Sequence, residues 1–167
     1  MLKKRDYHAY AHRKLSCSVT DRELEHLKHV KDIGYVEHDG RTNEEMRALI
    51  AERPISAGMR TTGSLSGYHS GIVTENYLRC SSTGNEVNHG ILIVGYGTVE
   101  SNERVYGRGC REYWVVRNSW GSNWGQDGFF KLCADNVGSH DTPLGTCLIN
   151  KYAVWPTLNK DDIEPDQ

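Results

Sequence analysis

A chain of 167 residues, 37% of them hydrophobic, is long enough for one ordinary domain with a packed core. Its net charge of −2, from 20 basic and 22 acidic residues, argues against nucleic acid as the main partner. No stretch approaches the roughly 20 apolar residues of a membrane span. No Cys/His cluster has zinc-ligand spacing and no Gly-rich phosphate loop follows a strand, so no metal and no cofactor is expected.

In chain order, the opening Met1-Leu2-Lys3-Lys4-Arg5-Asp6 lacks the apolar region of a signal peptide. The compartment therefore stays open. A true start at Met1 implies an intracellular or organellar protein, and a processed chain whose targeting segment lies elsewhere implies a lysosomal or secretory one. Residues 1–30 are basic and rich in His, and Leu24, Leu27 and Val30 are spaced too irregularly to define a helix. Thr42-Asn43-Glu44-Glu45 has the form of a capping box. Met46, Leu49 and Ile50 follow at helical spacing until Pro54 stops the run, which predicts a short amphipathic helix. Ile55 to Met59 reads as a strand, and Gly63 to Gly71 as a loop.

The chemistry concentrates further on. Asn88-His89-Gly90 precedes the apolar run Ile91-Leu92-Ile93-Val94, which closes in Gly95-Tyr96-Gly97 and reads as a buried strand ending in a turn. Residues 98–110 form a Gly-containing insertion. A second run, Tyr113-Trp114-Val115-Val116, then leads into Arg117-Asn118-Ser119-Trp120-Gly121. Strands are rigid supports, so a His at the start of one and an Asn at the end of the next can be held in fixed register. An imidazole works as a general base when a second group sets its tautomer and ring plane, and the Asn118 amide oxygen is the candidate for that task.

These motifs, followed by Trp124-Gly125-Gln126-Asp127-Gly128-Phe129, resemble in order and spacing the papain-like cysteine proteases (cathepsins). The similarity extends from Tyr7-His8-Ala9-Tyr10, like the family's Tyr-Pro-Tyr, to Tyr152-Ala153-Val154-Trp155-Pro156. It corresponds only to the right-hand domain of that fold. The resemblance implies His89 as catalytic base and Asn118 as its orienting amide. Trp120 would screen their hydrogen bond from water, and Ser119 and Gly90 would support the site. Tyr152 falls where the family places the floor of the pocket for the second residue upstream of the scissile bond, and Gly90 widens the wall beside the His. Nothing in the chain matches the family's nucleophile, a Cys at a helix start in a Cys-Gly-Ser-Cys-Trp context after an oxyanion Gln.

The resemblance suggests that Cys80 pairs with Cys147. It also suggests that Cys17, whose surroundings do not fit a nucleophile, reaches a cysteine on another chain. Cys110 and Cys133 flank the strands of a predicted hairpin, where a cross-strand bridge is geometrically reasonable. Against these stands the alternative that all five are reduced, small apolar residues.

The expected fold is α+β and mainly β: an antiparallel, barrel-like sheet with short helices, the right-hand half of the papain-like fold. It divides into an N-terminal extension (1–30), the His/Asn domain (31–158) and an acidic C-terminal tail (159–167). Two functions remain in view. One is the His/Asn-bearing half of a cysteine peptidase, hydrolysing polypeptides only if a second chain brings the Cys and the oxyanion Gln. The other is an inactive pseudopeptidase serving as a structural or binding subunit of a larger assembly. Both require a protein partner over an exposed domain face.

Overall fold

The structure, a computed structural model, describes residues 41–81, 86–135 and 144–156, and the backbone alone of 33–39, 157 and 158. The expected N-terminal extension with Cys17, and the acidic tail, lie outside the described residues. The chain divides into two compact units, residues 36–155 and residues 1–35 with 156–167, and the description that follows concerns the first.

In chain order the elements are β1 (Ile33–Asp39), α1 (Asn43–Glu52), β2 (Ile55–Met59), β3 (Ile72–Val73), α2 (Glu75–Leu78), β4 (His89–Thr98), β5 (Val105–Tyr106), β6 (Glu112–Arg117), β7 (Phe129–Cys133) and β8 (Tyr152–Leu158), with short 3-10 turns at Gly63–Gly67 and Thr146–Leu148. The sheet runs β1-β8-β2-β4-β6-β7-β3-β5. Among the described residues it is mainly antiparallel, and it is not closed. Three features depart from the sequence reading. β4 runs on through Gly95-Tyr96-Gly97 to Thr98, paired with β6, in place of the expected closing turn. β3 pairs in parallel with both β5 and β7, and the loop expected over Gly63 to Gly71 contains a 3-10 turn.

The helix starts where its cap is. Thr42 accepts from the Glu45 N–H while the Glu45 carboxylate accepts from the Thr42 N–H, so two otherwise unpaired donors are satisfied. The helix buries Met46 and Ile50. Strand alternation supplies the other side of the core: Ile55, Ala57 and Met59 of β2, Ile91 and Ile93 of β4, Trp114 and Val116 of β6, and Phe130 and Leu132 of β7 are all buried. The opposite face is less covered. Leu92, Val94 and Val115 are half-buried, and Ser56 and Arg117 are exposed.

A bulge interrupts β4. Ile93 pairs with Val116 and Gly95 with Val115, so Val94 is an extra residue on that strand. Two disulfides staple the unit: Cys80 to Cys147 across 67 residues, and Cys110 to Cys133 across 23.

Candidate active site

His89 is the first residue of β4, and Asn118 directly follows β6. β4 and β6 are antiparallel with Leu92 opposite Arg117. His89 therefore shares strand parity with buried Ile91 and Ile93, and Asn118 with buried Trp114 and Val116. The alternation that builds the core thus delivers both side chains to one face at the end of the sheet. There His89 Nε2 lies 2.9 Å from Asn118 Oδ1. The amide oxygen can only accept, so Nε2 donates the hydrogen of this bond, and Nδ1 is the ring nitrogen that Asn118 does not engage.

Asn118 is 6% exposed, and its Oδ1 also accepts the Ser119 N–H at 2.8 Å. Its Nδ2 is buried with no acceptor among the described residues. The Trp120 ring sits 5.2 Å from the His89 ring and is itself 41% exposed, so the indole forms an outer wall over the imidazole. Gly121, at φ +88°, turns the chain immediately after it, in a region that a side chain seldom enters.

The residue before His89 contributes more than sequence indicates. Asn88 Oδ1 accepts the Thr61 N–H at 2.8 Å, and Nδ2 donates to the Thr61 carbonyl at 3.0 Å. Its own N–H donates to Met59 O at 3.1 Å. A side-chain amide thus prolongs the β2–β4 ladder past its last backbone pair and fixes the base of the His89 side chain. Sequence reading missed this clamp, because the partners are 27 residues apart and no periodicity marks them.

A cleft of about 560 Å³ borders the pair, with Gly90, Asn118 and Ser119 in its wall together with Ser56, Leu92 and Arg117. His89, Trp120 and Tyr152 are not among its lining residues. Tyr152 opens β8, where Ala57 pairs with Ala153, so it lies one step along, level with Gly58. Gly58 in turn pairs with Gly90. A methyl group at Gly90 would meet no atom within 4 Å. Tyr152 and Gly90 thus flank one glycine, while the lysine beside Tyr152 places its Nζ 5.0 Å from the phenol ring centre.

Among the described residues one group has the composition of a metal site: Cys110, Cys133 and Asp135. Its sulfurs are joined to each other, and the Asp135 carboxylate is occupied by the N–H groups of Arg111 and Glu112. The four described cysteines are all disulfide-bonded, so no thiol faces His89 from among them.

Fold and site together place a His–Asn pair beneath a Trp ring at one end of an open β sheet. The comparisons with known proteins place it further. The model of the papain family of cysteine proteases matches residues 1–157, and the chain belongs to that family. Procathepsin L of Rattus norvegicus is 38% identical over 131 residues, which is 77% of this chain and 34% of that protein. Ananain of Ananas comosus is 32% identical over 124 residues, 74% of this chain and 30% of that one. Among solved structures, bromelain from Ananas comosus bound to the inhibitor E64 superposes with a TM-score of 0.59 at 26% identity, covering 75% of this chain and 50% of that one. The chain spans about a quarter to a third of the length of the curated relatives it matches.

Proposed function

We propose that this chain is the His- and Asn-bearing part of a papain-like cysteine peptidase and that a second polypeptide carries the nucleophilic Cys and the oxyanion Gln. The observation that carries this reading is the 2.9 Å contact between His89 Nε2 and Asn118 Oδ1, with Trp120 against the imidazole. That geometry leaves Nδ1 as the nitrogen that takes the thiol proton. The thiolate then attacks the scissile carbonyl, and the imidazolium returns its proton to the leaving amine. Asn118 holds the ring plane through both transfers. Tyr152 and Gly90 would bound the pocket for the second residue upstream of the scissile bond.

The companion polypeptide would sit over the cleft and the half-buried face carrying Leu92, Val94 and Val115. Asn118 Nδ2, buried without an acceptor among the described residues, is consistent with a site completed by another segment or chain, since such a donor left alone costs about 1–3 kcal/mol.

One observation favours a second reading. Every described cysteine is oxidised, and Cys17 does not lie in a nucleophile context. A catalytically inactive subunit that binds other proteins through the same face would have the same structure. Labelling of native, non-reduced material with an epoxide that alkylates papain-type cysteines separates the two. The peptidase reading expects the label on a companion polypeptide, a Cys17 disulfide to that polypeptide by intact mass, and loss of labelling on His89→Ala. Unlabelled material without a companion thiol overturns it in favour of the binding subunit.

A further inference from the structure

We infer that Tyr68 is a positioning residue for the His89–Asn118 pair, acting through Trp124 and Trp120. The inference rests on reading His89 as the base. Among the described residues Trp120 makes two ring contacts: His89, at 5.2 Å, and Trp124, at 5.0 Å and nearly perpendicular. The height of the indole over the imidazole is therefore set by where Trp124 sits.

Trp124 is seated by the segment around Tyr68. Its Nε1 donates to the Ser66 carbonyl at 3.1 Å, at the end of the 3-10 turn. Its ring packs on Tyr68 at 5.5 Å and on Phe130 at 5.8 Å. Tyr68, 2% exposed, joins three parts of the chain through one hydroxyl. Gly71 O and Gln126 Oε1, each 2.8 Å away, share the hydroxyl's single hydrogen, and the oxygen accepts the Lys131 N–H at 3.3 Å. Burial raises the Tyr68 pKa, so the hydroxyl keeps its hydrogen and stays a donor at any ordinary pH.

The backbone is shaped around this ring. Gly125 adopts φ +62°, and a Cβ there would stand 3.1 Å from Tyr68 Cδ1 and 2.6 Å from the Phe129 carbonyl. The path from Tyr68 to the base is continuous: the Gln126 side chain and the Trp124 face fix the 118–128 loop, Trp124 fixes Trp120, and Trp120 covers the His89–Asn118 bond.

A residue that serves only the core would alter stability alone. A positioning residue also alters how well the His89 Nε2–H is shielded from water. The test is the exchange rate of that ring proton, measured by NMR on the native, non-reduced protein with any companion polypeptide still bound. Tyr68→Phe keeps the ring and removes the hydroxyl; Gln126→Ala trims an exposed side chain and removes only the hydroxyl's partner on the loop. Each is expected to speed exchange about fivefold, the worth of one net hydrogen bond, while Tyr96→Phe near the far end of β4 leaves it unchanged.

An unchanged rate in Gln126→Ala overturns the inference even if Tyr68→Phe fails to fold. A wild-type proton already exchanging as in free imidazole overturns it too. The peptidase reading fails separately, through absent epoxide labelling, and the imidazole nitrogen shifts report the Nε2–H tautomer independently of either.

Discussion

Asn118 uses one end of its carboxamide twice: Oδ1 accepts from both His89 and Ser119, while Nδ2 is buried without an acceptor among the described residues. Truncation therefore has two unequal effects. On the proposed peptidase reading, Asn118→Ala frees the imidazole to rotate and is expected to lower kcat/KM of the two-chain enzyme on the order of 10²-fold. The folding stability of the chain should fall by only about 1 kcal/mol in urea titrations, because the unpaired donor disappears along with the two accepted bonds. Gly90→Ala is expected to fold within about 0.5 kcal/mol of wild type, since the added methyl meets open space. Its effect should appear instead as weaker acceptance of bulky side chains in the adjoining pocket, measured with a substrate series. His89 and Asn118 were legible in the sequence because each sits at the end of an apolar strand, where period-two alternation fixes its face. The Asn88 clamp on Thr61 and the bond between Tyr68 and Gln126 were not legible. They join residues 27 and 58 apart through side chains, and such contacts leave no periodic trace.

At the level of elements, the strands with strong alternation were legible and the short ones were not. β3 and β5, two residues each, exist because neighbours pair with them rather than through any pattern of their own. β5 therefore fell inside a stretch read as an insertion, and its parallel pairing with β3 had no local signature. The capped helix, by contrast, began at Thr42 as its sequence indicated and ran on to Glu52. The turn after Trp124 gives a test of backbone demand. Gly125→Ala forces a positive-φ alanine whose Cβ would lie 2.6 Å from a carbonyl oxygen, and thermal unfolding should report a loss of at least about 1 kcal/mol.

The ion pair between Lys131 and Glu103 ties β7 to the segment before β5. Hydrogen bonding to Lys131 lowers the Glu103 pKa. Burial pulls the Lys131 pKa down, but its bonds to Glu103 and Tyr113 outweigh that and leave it raised. A depressed carboxylate contributes stability above its unfolded pKa and loses it as pH falls through the folded value. A raised ammonium contributes below its unfolded pKa and loses it as pH rises through the folded one. Glu103→Gln should thus cost up to about 1 kcal/mol at neutral pH. The difference from wild type should close at acid pH, below the ordinary carboxylate range, in melts across a pH series.

For the molecule as a whole, the uneven sheet is the feature that matters. One face is a packed core, and the other leaves Leu92, Val94 and Val115 half-covered beside the cleft. The expectation of a barrel-like sheet is refined to an open one. We expect the chain purified alone to self-associate or aggregate in size-exclusion chromatography, and a soluble monomer would count against a companion polypeptide on that face.

The Cys80–Cys147 bridge has a practical consequence for anyone handling the protein. It encloses β4, β6, β7 and the 99–111 segment in a single covalent ring. A backbone cut anywhere between residues 81 and 146 would leave both pieces joined through sulfur, heavier by one water and otherwise unchanged in mass. A nicked molecule would pass as intact on a non-reducing gel, with His89 and Asn118 held together even if the chain between them had been severed.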